Sequence, residues 1–288
     1  MHRLKALYFG TPDFSADFLK KVLDDKDILV KIDGVVTQND KKVGRKQILT
    51  QSSVKKLAIK NSIEVYHDFS YKKFDLGLIF SFGRIIPKEE FKKFKYGIWV
   101  IHPSLLPKYR GASPIAQTLI NGDTETGVTI IQADEGVDTG DILGQIITKI
   151  KPNENRNELT IRLTNLGYDL FKETTNSFVK NNFKINTIKQ DNNNYSVSKK
   201  LEKENGFVAV NALQKSITSE GQKIYNLYKG LYPWPGIWTL VKIGSIEKRL
   251  KITEIELFDK KINIKKVQLD GKKEVDFKTF NSAYNIFT

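Results

Sequence analysis

Two groups of side chains in this 288-residue sequence have the types and spacing for proton-transfer chemistry. His102 closes an apolar run, Ile98 to Ile101, and opens a loop stiffened by Pro103, Pro107 and Pro114 around Gly111. Further along, the stretch Asp134 to Asp141 carries four carboxylates, Asp134, Glu135, Asp138 and Asp141. A carboxylate that faces an imidazole orients the ring and equips it as a general acid or base. The same residues also fit plainer roles: a histidine that satisfies a local hydrogen bond, and an acidic turn that is solvated or holds a cation weakly. Thiol nucleophiles, disulfides, iron–sulfur clusters and cysteine-based zinc sites are excluded because the sequence has no cysteine, which fits a reducing compartment. With His2, His67 and His102 the only histidines, a His-rich metal site is not expected.

The elements that must position these groups alternate strand and helix. Leu4 to Phe9 is a short apolar run closed by Gly10 to Asp13, and an amphipathic stretch from Phe14 to Leu23 follows. Ile32 to Thr37 reads as a strand, Ser52 to Lys60 as a helix capped by Ser52 or Ser53, and Leu76 to Phe82 as a buried strand. Continuous apolar strands separated by helices are the pattern of a parallel, doubly wound sheet, which binds ligands at the carboxyl ends of its strands. His102 falls at such an end. A helix from Ile115 to Ile120, strands over Gly127 to Ala133 and Ile142 to Ile150, and a long helix from about Glu158 to Lys180 complete a first domain, 1–180. Residues 181–206 are polar and read as a linker. Residues 207–288 read as a partly helical entry followed by short alternating strands, a small β-rich barrel or sandwich.

The composition bounds the partners. The formal net charge is +14, and 40 of the 47 basic residues are lysine. Residues 181–288 carry 19 basic against 11 acidic side chains, and residues 41–60 carry seven positive charges with no acid. Clustered positive charge suits a polyanionic partner, whose phosphates dominate affinity, although a lysine bias also serves solubility alone. No apolar run reaches the roughly 18–20 residues of a membrane span, and the amino terminus lacks a signal-peptide pattern, so a cytoplasmic protein is expected.

Several motifs in one order carry a resemblance. Phe9 to Phe14, His102 to Pro107 with Tyr109-Arg110-Gly111, and Gly122 to Thr129 leading into Gly136 to Asp141 resemble the folate-dependent formyltransferases. Tyr232 to Gly236 with Trp238, and Val267 to Lys273 with Phe277 and Phe280, are similar to the appended barrel of the branch that acts on methionyl-tRNA. The resemblance implies a Rossmann-like α/β domain with a mostly parallel sheet and a small C-terminal OB-like β-barrel that binds tRNA. It implies transfer of the formyl group of 10-formyltetrahydrofolate, a co-substrate, to initiator methionyl-tRNA by a monomer that needs no metal or membrane. His102 and Asp138 are the implied catalytic pair. Ser104, Leu105, Leu106, Pro107, Phe82, Gly83, Glu135, Gly136 and Val137 are the implied folate neighbours, and Lys41, Lys42, Arg45 and Lys46 the implied tRNA contacts. The nearest alternative is a sugar-nucleotide N-formyltransferase.

One position departs from the resemblance. The family carries an Asn two residues before the His, and here that residue is Val100. Valine cannot donate a hydrogen bond, and loss of one preorganised oxyanion donor costs on the order of 100- to 1000-fold in rate. Three accounts follow: a slow formyltransferase, a donor supplied by another group or a water, or a chain that keeps fold and tRNA binding without the chemistry.

Overall fold

Leu4–Phe9 (β1) is buried at five of its six residues, as a strand covered on both faces must be, and it is an interior strand of a seven-stranded sheet. In the computed structural model, which describes residues 3–44 and 46–287, the chain continues through Asp13–Asp24 (α1), Val30–Val36 (β2), a hairpin of Lys41–Val43 (β3) and Ile48–Thr50 (β4), Ser53–Lys60 (α2) and Glu64–Tyr66 (β5). The Ser52 hydroxyl caps α2 by accepting from the Lys55 amide, satisfying an otherwise unpaired first-turn donor. Leu76–Ile79 (β6), Ile98–His102 (β7), Arg110–Gly111 (β8), Pro114–Asn121 (α3), Glu125–Gln132 (β9), Ile142–Lys149 (β10), Arg156–Lys180 (α4) and Val197–Ser198 (β11) follow.

The sheet order is β10-β9-β7-β6-β1-β2-β5, with β5, β2, β1, β6 and β7 parallel and β9 antiparallel to β7. The chain leaves β1 on one side for β2 and returns on the other to β6, which creates a crevice at the carboxyl ends of β1 and β6. Tyr8, Ser15 and the Phe80 carbonyl tie that crevice together: the Tyr8 hydroxyl bonds Ser15, and Ser15 Oγ donates to Phe80 at 2.7 Å. Behind β7, the fully buried Trp99 packs edge-on against Phe171 and Phe178 of α4. The expected strand 76–82 is shorter because Ser81 and Gly83 both adopt positive φ and turn the chain after Ile79.

Contacts divide the chain into two units: Met1–Ala112 with Glu125–Thr148 and Thr160–Val197, and Ser113–Thr124 with Lys149–Leu159 and Ser198–Thr288. The stretch 181–206, expected as a linker, is built into structure. Ile188 bridges to Ile142 in antiparallel fashion, and Gln190 is buried. The reason is polar rather than apolar: this segment is held by side-chain amides, which hydrophobic periodicity does not register.

The second unit contains Val210–Thr218 (α5), Gln222–Leu231 (α6), Ile237–Ile243 (β12), Ile246–Phe258 (β13), Lys261–Leu269 (β14), Glu274–Asp276 (β15) and Phe277–Tyr284 (α7). Its strands pair in sequence order as an antiparallel meander, β12-β13-β14-β15, and Phe207 bridges to Trp238 of β12, which gives the small β-rich C-terminal domain expected from the alternating pattern. Helices cover the sheet, with Leu213, Leu231 and Phe280 joining Ile237, Leu250 and Val267 in one core. Arg156 donates to the carbonyls of Tyr232 and Trp234 and holds the Tyr232 to Gly236 turn. Gly230 lets α6 approach α3 closely: a Cβ there would stand 2.7 Å from the Ala116 carbonyl and 2.6 Å from Ile120. Gly230→Ala is therefore expected to destabilise the protein by about 1–3 kcal/mol, read as a lower urea midpoint. An unchanged midpoint would mean the helices separate without cost.

Candidate active site

His102 is the last residue of β7, paired across the antiparallel ladder with Thr129, and it is 4% exposed. Its Nε2 lies 2.9 Å from the Tyr109 carbonyl. A carbonyl only accepts, so Nε2 carries a proton. Nδ1 faces Asp138 Oδ2 at 3.4 Å, and that oxygen also accepts the Gly111 amide at 2.7 Å. Asp138 reaches this position from a left-handed backbone conformation, φ +56°, uncommon for a residue with a side chain. The imidazole is thus fixed between a carbonyl and a carboxylate, and the carboxylate is the one the family resemblance implied.

The other carboxylates of the acidic turn are used one at a time. Asp134 accepts from the Gly136 amide at 3.0 Å and from Thr139 at 2.6 Å, Glu135 pairs with Lys88 at the surface, and Asp141 accepts from Thr187 at 3.2 Å. The arrangement is a hydrogen-bonded turn. Among the described residues no group of three or more His, Asp or Glu side chains could hold a metal ion.

The loop after His102 is set by two residues that sequence reading missed. Thr129 Oγ1 donates to the Ser104 carbonyl at 2.7 Å and accepts from the Leu106 amide at 3.1 Å and from Gln145 Nε2 at 2.8 Å. Gln145 also donates to the Leu106 carbonyl at 3.1 Å, and Ser104 Oγ donates to Lys108. The only signal was a threonine flanked by the apolar Val128 and Ile130.

Val100 lies on the same face of β7 as His102, two residues earlier, while Trp99 and Ile101 point to the opposite face. It is half-buried, and its strand partners are Ile79 and Ile131. The local ladder therefore offers no polar side chain at that level.

Of the other expected site residues, Phe82 buries its ring against Phe9 while its carbonyl accepts from Thr11 at 3.3 Å. Gly83 beside it holds φ +76°, and Val137 is exposed. Lys41, Lys42 and Lys46 are exposed on and beside the β3–β4 hairpin, together with Val43, Ile48 and Leu49. Arg45 lies outside the described residues. These lysines form a separate surface feature and add nothing to the geometry around His102.

Residues 2–175 match the formyl transferase family. A methionyl-tRNA formyltransferase of Caldicellulosiruptor saccharolyticus is 34% identical, with 97% of each chain covered. Among solved structures, a methionyl-tRNA formyltransferase from Clostridium thermocellum is similar at a TM-score of 0.56 and 18% identity, covering 95% of this chain and 99% of that one. An N-formyltransferase from Helicobacter canadensis, solved in complex with folinic acid and dTDP-3-aminofucose, is similar at 0.60 and 22%, covering 95% and 98%.

Proposed function

The chain belongs to the formyl transferase family, and on that premise we propose that it moves the formyl group of 10-formyltetrahydrofolate to the free amino group of methionine on initiator tRNA. The observation that carries this reading is the identity of 34% sustained over 97% of both chains, which runs through the C-terminal unit as well as the catalytic one. Structural similarity below 25% identity speaks to the fold and does not choose between acceptors. No helix among the described residues is long and apolar enough to cross a membrane. We take the protein to act as a cytoplasmic monomer, where charged tRNA and folate are available.

The folate supplies an electrophilic formyl carbon when bound. The chemistry of the loops suits it: a pterin presents alternating donors and acceptors, which backbone groups of Phe82-Gly83 and Glu135 to Val137 can match, while Leu105, Pro107 and Val137 offer apolar surface. Ser104 and Leu106 support the loop, since their polar groups are committed to Lys108 and Thr129. As the new N–C bond forms, the bond between the formyl carbon and folate N10 must break, and the proton lost by the attacking amine must end on N10, so that tetrahydrofolate leaves. With Nε2–H committed to Tyr109, Nδ1 is the nitrogen left to take a proton, and Asp138 stands where that N–H would point. Burial of the pair keeps water from competing for the same proton.

The test is a transfer assay with 10-formyltetrahydrofolate, charged initiator tRNA and a dTDP-amino sugar offered together. Formyl-methionine on tRNA is expected; formyl appearing on the sugar alone would replace this reading with its nearest rival. A second measurement addresses the hairpin. Reversing Lys41, Lys42 and Lys46 to Glu is expected to weaken tRNA binding at least tenfold at low salt and to flatten its salt dependence, because fewer counterions are released. Folate binding should not change. Equal tRNA affinity at every salt concentration would remove the hairpin from the interface.

A further inference from the structure

We propose that Gln190 is a positioning residue of the active site, the group that fixes the Asp138 carboxylate against His102. Its carboxamide is fully used. Oε1 accepts from Arg110 Nε at 3.0 Å and from Arg110 Nη2 at 2.8 Å, and Nε2 donates to the carbonyls of Asp138 at 2.9 Å and Gly140 at 2.7 Å. A guanidinium only donates and a carbonyl only accepts, so one orientation of the amide satisfies all four partners. Gln190 is 9% exposed, and a buried amide with every bond made is rigid.

Both ends of this clamp bear on the catalytic pair. On one side it grips the carbonyls of residues 138 and 140, bracketing the turn in which Asp138 holds its positive φ. That conformation persists only where surrounding contacts impose it. On the other side it fixes Arg110, the residue before Gly111, and the Gly111 amide donates to Asp138 Oδ2. Arg110 is further held by Asn192 Oδ1 at 2.8 Å, by stacking over Tyr195, and through its own amide to the Ser196 carbonyl. The segment 190–196 thus fixes the carboxylate from its backbone and from its hydrogen-bond donor at once.

The decisive variant is Gln190→Glu. A carboxylate keeps both bonds from Arg110 but turns acceptors toward two carbonyls, so the grip on residues 138 and 140 is lost while the fold near Arg110 is kept. The first readout is the pair of imidazole 15N resonances of His102, one of three histidines in the chain, recorded at fixed pH. They are expected to move in Gln190→Glu while those of His67 stay put. This arm does not depend on what the enzyme formylates. The second arm rests on the transfer reading: kcat is expected to fall about 10- to 100-fold with KM for folate within twofold, as misplacement by about an ångström commonly costs. Gln190→Ala, assayed with a thermal melt, covers the case in which Glu perturbs folding by its charge. Unmoved His102 resonances in a folded variant would overturn the proposal. Moved resonances in a chain that transfers no formyl group would uphold it and reject the assigned reaction.

Discussion

Val100→Asn is expected to raise the rate of formyl transfer by about 100- to 1000-fold over the parent chain, the range associated with one preorganised donor at a developing oxyanion. Attack on the formyl carbon puts negative charge on its oxygen. Val100 shares a strand face with His102 and is half-buried, so on the proposed reading it borders the space where that charge would form, and its methyl groups can offer no proton. The strand neighbours Ile79 and Ile131 are equally apolar. Asn is close to Val in volume, so the exchange should leave the packing of Trp99 on the opposite face intact. Its lower strand propensity costs at most about 1 kcal/mol. The measurement is a single-turnover assay with saturating folate and charged tRNA, which isolates chemistry from product release. A parent rate that the variant fails to improve by even threefold would mean that another group or a water already supplies the donor. A silent parent and an active variant would identify a fold retained for tRNA binding after its chemistry lapsed.

The strands of the main sheet were legible because buried parallel strands are mostly apolar, and β1, β2 and β7 overlap the apolar runs despite Lys5, Lys31 and Asp33. The contact between His102 and Asp138 was legible in part: a histidine at the end of such a run is placed at the binding edge by the topology itself, whereas Asp138 was singled out from the four acids of its turn by the family resemblance. The role of residues 188–196 was not legible, because Gln190, Asn192 and Tyr195 act through amide bonds and stacking that leave no periodic trace. Alternation announced the strands of the C-terminal domain but not their pairing order or the cover given by α5, α6 and α7, which are long-range features that local patterning does not encode. The assignment of residues 113–124 and 149–159 to the second unit is of the same kind. The approach of α3 to α6 depends on Gly230, more than a hundred positions from Ala116.

His102→Ala and Asp138→Asn should each lower transfer by about 100- to 10,000-fold, the range of positioned acid–base groups, while leaving tRNA affinity within twofold. Both side chains are almost wholly buried, so neither has phosphate to grip. Asp138→Asn separates two roles that Ala would confound. Its amide oxygen still accepts the Gly111 amide, so the loop and the melting temperature should hold, whereas the negative charge facing Nδ1 is gone. Full activity in Asp138→Asn would mean that Asp138 serves Gly111 alone and that His102 works unaided. The double variant adds a further discrimination. Two groups that act as one unit lose their joint contribution when either is removed, so His102→Ala combined with Asp138→Asn should be scarcely slower than the worse single variant. Losses that multiply would instead describe two independent contributors, and the 3.4 Å contact would then be proximity without function.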